Sequence, residues 1–288
     1  LPNIWSYAIA LAFFGAVMGA TDVSMNTNAV IVEKLAGRRL LSGMHAFWSI
    51  GCFASAGLFS VLASSGLNVT LIATLHCAIV LVLLAVFGRH LLDYKSPGGE
   101  KAFAIPRGIV IVLGILACIS FLVEGAVMDW SGVLLTEVKN MDIALAGTGY
   151  AIFSVSMLIM RLLGDKTVQF LGEQKAVIGG SIVTAAGFAL VVVLDNLYLN
   201  AFAFILIGLG CANIVPVFYS LLKYQKDMPI SAAVTSVTSL GYTGVILGPA
   251  LLGFVAHGIN ISAVFELVAL LLVIEAGIAK YVFCKLKM

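Results

Sequence analysis

Acidic and amide side chains sit inside runs of this chain that are apolar enough for lipid. In "GATDVSMNTNAVIVEKLAGRR" (19–39), Asp22 and Asn26 are four residues apart and Glu33 lies seven beyond Asn26. On a helix that spacing places all three on one stripe, with Thr21 and Asn28 on a neighbouring one. An ionised Asp near the centre of a membrane helix costs about 2.5–3.5 kcal/mol. Such a residue faces a protein interior or a water-filled cavity, where it can gain and lose a proton as access changes. Asp22 is the candidate for that chemistry, and the plainer alternative is an acid that only holds helices together. Glu33 stands beside Lys34, Arg38 and Arg39, so a solvated place at the helix end is expected for it.

A second group lies in "FLVEGAVMDWSGVLL". Glu124 and Asp129 are five residues apart, about 140° around a helix, so they cannot share a face. Glu124 follows a line through Ser120, Met128 and Ser131 that could border a cavity, which makes it a second proton-coupling candidate. Asp129 precedes Trp130, a residue type that marks headgroup level, and is kept as a cavity candidate. His45 and Trp48 in "GMHAFWSIG", Asn28, and Asn213 beside Pro216 in "GCANIVPVFYS" complete the expected cavity lining with Asn26. The proline interrupts the hydrogen-bond ladder of its span and lets a neighbour approach. His76, Glu266 and Glu275 receive no role.

Enzymatic and metal chemistry find no support. There is no HExxH, no phosphate-cradling loop and no nucleophile elbow, and "GLGCAN" follows no strand. Cys52, Cys77, Cys118, Cys211 and Cys284 stand singly without a CxxC pair and read as small buried hydrophobes. No metal or other cofactor is expected, and a net charge of +2 gives no reason to expect nucleic acid.

The elements that must position these residues follow from composition. The 288 residues are 61% hydrophobic and 10% charged, against about 25% charged in soluble domains. Uncharged runs near the roughly 20 residues needed to cross a bilayer recur throughout. Nine spans are expected, at about 4–31, 43–64, 67–88, 107–132, 144–164, 175–194, 197–222, 231–256 and 261–283. The fold class is an all-α, multi-pass membrane protein. The polar, Gly/Pro-bearing stretch around 89–106 reads as a linker, giving three parts: 1–92, 93–106 and 107–288. Of sixteen Lys and Arg, all but Lys139 fall on one side of this topology. Positive residues mark the cytoplasmic side, so the linker and C-terminus are expected there and Leu1 outside. A cleaved signal peptide is disfavoured, because no basic region leads the first span.

Two regions superpose without a gap. Gly15 matches Gly208 and Gly51 matches Gly244, both 193 residues apart. With similar span lengths and loop polarity, this suggests parallel repeats in which spans one to three correspond to seven to nine. Spans four to six then lack an upstream counterpart, and the expectation is a piece of a twelve-helix protein without its first three helices.

This plan resembles the major facilitator superfamily from its fourth helix to its twelfth. "RLLGDKTVQFLGEQK" (161–175) stands where that superfamily carries an acidic–basic loop after helix 8. The resemblance therefore implies gating roles for Arg161, Asp165 and Lys166. Lys166 and Lys175 replace arginines that are common there, and Glu173–Gln174 replace a basic pair. "EGAVMDWSGVLL" and "RLLGDK" resemble the YbjJ-like branch of bacterial inner-membrane facilitators. "TDVSMNTNAV" with "MHAFWSIG" is more distantly similar to fucose permease relatives, whose helix 4 carries an acid used in proton-coupled sugar uptake. Asp22 matches that place. "GVILGPALLG" (244–253) resembles a Gly-Pro element of drug antiporters, but there it belongs to helix 5, which here reads "GCFASAG".

The resemblance and the residues together imply a monomeric secondary transporter, not an enzyme, in a bacterial inner membrane. It would move a small sugar- or polyol-like solute by alternating access, coupled to protons by symport. The competing expectations are a drug or metabolite efflux antiporter and a non-transporting membrane sensor on the same fold.

Overall fold

The computed structural model describes residues 3–92 and 105–286. The expected linker at 93–106 therefore lies almost wholly outside the described residues, and with it Lys95 and Lys101. The described chain forms α1 (Ile4–Ala36), α2 (Leu41–Ser64), α3 (Val69–Phe87), α4 (Ile109–Val133), α5 (Thr148–Leu171), α6 (Glu173–Val193), α7 (Leu197–Cys211), α8 (Ile214–Leu221), α9 (Ile230–Gly258) and α10 (Ile261–Leu286). Among the described residues, nine helical segments are long and apolar enough to cross a membrane, α7 and α8 together making one of them.

Local sequence sets several helix ends. Asn3, Asn68 and Asn196 accept the first free backbone N–H groups of α1, α3 and α7 through their side chains, the usual service of an N-cap amide. Gly37 ends α1 in the left-handed conformation at φ 63°, and its N–H bonds back to Glu33, as a C-terminal glycine allows. α2 differs. Its cap residue Leu40 offers no side-chain acceptor, and the need for one is met from elsewhere in the chain.

The well-packed body is α4–α10. α4 lies along α9, and α6 packs against both α7 and α10. Phe188 and Phe265 meet at 5.6 Å between ring centroids inside it. Glycines permit the closest approaches. A side chain at Gly208 would run into α5 at the Phe153 carbonyl, and one at Gly244 would strike the Cys118 carbonyl of α4. Their repeat partners Gly15 and Gly51 face open space.

Two spans depart from their expected limits. α1 continues to Ala36 and α5 to Leu171, so "RLLGDKTVQFL" is helix and not loop. The chain breaks only at Gly172, at φ 83°. The seventh span is broken into α7 and α8 at Ala212–Asn213, four residues before Pro216. The reason is local: residue 216 would supply the N–H for the Ala212 carbonyl, and proline has none.

Candidate functional site

α1 and α2 meet α4–α10 along a seam, and the polar residues singled out from the sequence cluster on it. The C-terminal part of α1 and the N-terminal part of α2 touch α5, α8 and α9. This is the end where Lys34, Arg39, Lys166, Lys175 and Lys223 gather, here termed the basic end. Hydrogen bonds from α1 and α2 to α4–α10 arise between Glu33 and Ser49, with Asp22 facing Tyr242 farther along α1.

The deepest part of the seam is built around Arg161. It lies mid-way along α5 with 5% of its surface exposed. Its Nη2 meets Glu124 Oε1 at 3.2 Å, its Nη1 donates to Ser49 Oγ at 3.4 Å, and its Nε donates to the Ala212 carbonyl at 3.3 Å. That carbonyl is the one Pro216 leaves without a helical donor. One guanidinium thus joins α2, α4, α5 and the α7–α8 break. Arg161 is therefore not in a loop: it lies inside α5, buried and paired with Glu124.

Asp22 lies half-buried on α1, accepting from Asn26 Nδ2 at 3.1 Å and facing Tyr242 of α9 across the seam. Asn26 is buried and Asn28 partly so. His45 stacks on Tyr219 of α8 at 6.0 Å, and Tyr219 shares a 2.7 Å hydrogen bond with Thr238. Two buried polar atoms near Arg161 have no partner among the described residues: His45 Nε2, on the residue one turn before Ser49, and Asn213 Oδ1, on the residue after Ala212. Trp48 is separated from this group. It borders a groove between α2 and α3 with Phe59, Ile72 and His76. Asp129 is exposed at the opposite end, lining a hollow with Glu137 and Tyr150. The structure therefore brings Asp22, Asn26, His45, Glu124 and Asn213 to the seam and leaves Trp48 and Asp129 outside it.

At the basic end, two carboxylates satisfy the start of α2. Glu33 Oε2 accepts from the N–H groups of Leu40 and Leu41 at 2.9 and 3.1 Å. Asp165 of α5 accepts from those of Ser42 and Gly43 at 3.1 and 2.9 Å. All four leading N–H groups of a helix without a cap of its own are thereby engaged. Both carboxylates also meet the positive end of the helix dipole. The other oxygen of Glu33 accepts from Ser220 Oγ and Lys223 Nζ, each at 2.7 Å. Arg39 pairs with Glu173 at 2.6 Å. The solvated place expected for Glu33 is overturned, because it is 2% exposed and its counter-charge is Lys223, just beyond the end of α8. Lys166 sits beside Asp165 on α5 and makes no ion pair among the described residues.

Glu275 was given no role from sequence. It is fully buried on α10, accepting from Ser120 Oγ of α4 at 2.6 Å and Ser181 Oγ of α6 at 3.1 Å. Its partners are 155 and 94 residues away, so only the presence of an acid in an apolar span could have flagged it.

No family model matches the chain. It is 41% identical over 276 residues to an MFS-type transporter of Yersinia pestis, covering 96% of this chain and 72% of that protein. A transporter of Sinorhizobium fredii is 31% identical over 285 residues, with 96% and 74% covered. The membrane protein MosC of Rhizobium meliloti is 27% identical over 278 residues, with 96% and 67% covered. The crystal structure of the human organic anion transporter MFSD10 shares the fold with a TM-score of 0.72 at 14% identity, over 89% of this chain and 66% of that one. With a fold of membrane-crossing helices, a polar seam between them and a transporter relative at 41% identity, the chain belongs to the major facilitator superfamily.

Proposed function

We propose that this protein is a proton-coupled secondary transporter that moves a small hydroxyl-bearing solute, sugar- or polyol-like, by alternating access. The observation that carries the reading is the pair of carboxyl groups on the seam. Asp22 stands on the α1 side facing Tyr242 of α9, and Glu124 on the α4 side held by Arg161 of α5. Ionisable residues in membrane helices mark substrate and proton pathways. Rocking of α1–α3 against α4–α10 changes which end of the seam is open. In this reading residues 1–92 and 107–288 belong to two bundles and the basic end faces the cytoplasm of a bacterial inner membrane. The Asp165, Glu33 and Arg39 contacts then close that end.

The amide and hydroxyl groups of Asn26, Asn213 and Ser49 suit a solute that both donates and accepts hydrogen bonds. The test uses the full natural chain in sealed vesicles with an internal pH dye, exposed in turn to sugars, polyols and apolar cations. Proton entry on adding a hydroxylated solute, lost in Asp22→Asn, supports the reading. Proton movement driven only by apolar cations would replace it with efflux. Solute binding without any flux would point to a sensor.

A further inference from the structure

Arg161 offers more than its present partners use. A guanidinium carries five N–H donors in a planar fork, and three are engaged, by Glu124, Ser49 and the Ala212 carbonyl. Its carboxylate contact is a single 3.2 Å bond to one oxygen, not the two parallel bonds an Arg–carboxylate pair can make. Glu124 is the accessible member of the pair, with 27% of its side chain exposed against 6% for Arg161. Around them stand the unpartnered His45 Nε2 and Asn213 Oδ1. Two largely buried lysines are committed at the ends of their spans, Lys223 to Glu33 and Lys139 to Asp195 and the Val192 carbonyl. Arg161 is thus the cation placed part-way along its span on the seam, held through a single bond by a carboxylate that can leave.

We propose that the solute carries a carboxylate, and that this carboxylate takes the fork of Arg161 from Glu124. The proposal rests on the transporter reading and names the substrate class of that same site. The charges balance in one way. When the solute's carboxylate docks on Arg161, Glu124 loses its counter-charge and binds one proton from cavity water on its free carboxylate. When the solute leaves, the proton leaves and the Arg161–Glu124 bond re-forms. One proton therefore accompanies each monoanion, and the loaded and empty sites carry the same charge. Other titratable groups within electrostatic reach are His45 of α2 and Cys211 of α7, with Glu275 of α10 beyond Cys211 and with Asp22 of α1 and Tyr242 of α9 along the same seam.

The experiment uses the full natural chain, purified and in proteoliposomes, with gluconate and glycerate against their uncharged counterparts glucose and glycerol. Binding is read by thermal shift and calorimetry, and transport by internal pH with the membrane potential clamped. The expected result is binding of a carboxylate and not of its neutral counterpart, with affinity about ten- to hundred-fold lower in Arg161→Gln. Arg161→Lys keeps the charge but loses the fork, so it should also weaken carboxylate binding while preserving the fold. Proton uptake driven by the carboxylate should ignore the clamped potential, because proton and anion cancel. Proton-coupled glucose or glycerol entry that responds to the potential would overturn the proposal and leave the transporter reading intact. Carboxylate binding that is sensitive to Arg161, with no flux of any solute, would uphold the proposal and overturn the transporter reading. Absence of carboxylate binding in a folded protein would overturn the proposal.

Discussion

Arg161 donates through Nε to the carbonyl of Ala212, the backbone acceptor that Pro216 leaves vacant. An intramembrane cation is anchored on a defect in a neighbouring helix, and the defect and the charge satisfy each other. Pro216→Ala should restore the missing N–H, draw α7 and α8 into one helix and compete with Arg161 for that carbonyl. The expected outcome is a gain of about 1–3 kcal/mol in stability together with slower solute-driven proton movement. Melting temperature in detergent and flux in vesicles, measured on the same preparation, check the pair of effects.

Glu33 and Lys223 should be strongly coupled. Glu33→Gln leaves Lys223 without a counter-charge in a site where the acid is 1% and the lysine 14% exposed. Loss of one partner of a buried pair costs about 3–5 kcal/mol. The double variant Glu33→Gln with Lys223→Met should recover much of that loss. A double-mutant cycle on melting temperature measures the coupling, and additive losses would contradict it.

Asp165 should control how firmly the basic end is closed. Its carboxylate holds the N–H groups of Ser42 and Gly43, and Asp165→Asn removes the charge while keeping a side-chain acceptor. The loss is about 1–2 kcal/mol of contact with the helix start. A cysteine placed at the buried Leu41, in a background without the five native cysteines, reports it: labelling by a polar maleimide should rise about five- to thirty-fold.

Adjacent glycines of α6 should respond with opposite signs. Gly179 has open space where a side chain would stand, whereas at Gly180 a methyl would lie 2.5 Å from the Gly210 carbonyl of α7. Gly179→Ala is expected to stabilise by about 0.5–1 kcal/mol. Gly180→Ala should destabilise by about 1–3 kcal/mol by prising α6 from α7. Thermal melts of the two single variants decide it.

Much of the fold could be read in the sequence because membrane spans are written locally. An apolar run of the right length declares itself without reference to any partner. Asp22 and Glu124 were legible for the same reason, as charges where lipid forbids them. Partnerships were not. The counter-charge of Glu33 comes from a residue 190 positions later, and the neighbouring Lys34, Arg38 and Arg39 pointed to solvent instead. Arg161 falls inside the expected span 144–164, while the resemblance put it at the start of a loop, and its partners Glu124 and Ala212 lie 37 and 51 positions away. Trp48 shares a helical turn with His45, yet small rotations about the α2 axis send one to the seam and the other to the groove facing α3.

The seam also has mechanical meaning. Its bonds to α4–α10 lie toward one end of α1 and α2, between Glu33 and Ser49, while α2 continues to Ser64 without any among the described residues. That free stretch is a lever arm of about 22 Å at 1.5 Å per residue. A tilt of about 10° pivoting near Ser49 would carry its tip about 4 Å, while the contacts at the pivot shift by only a fraction of that. Small changes in which oxygen holds Arg161 would thus be geared into an opening of molecular size at the far end.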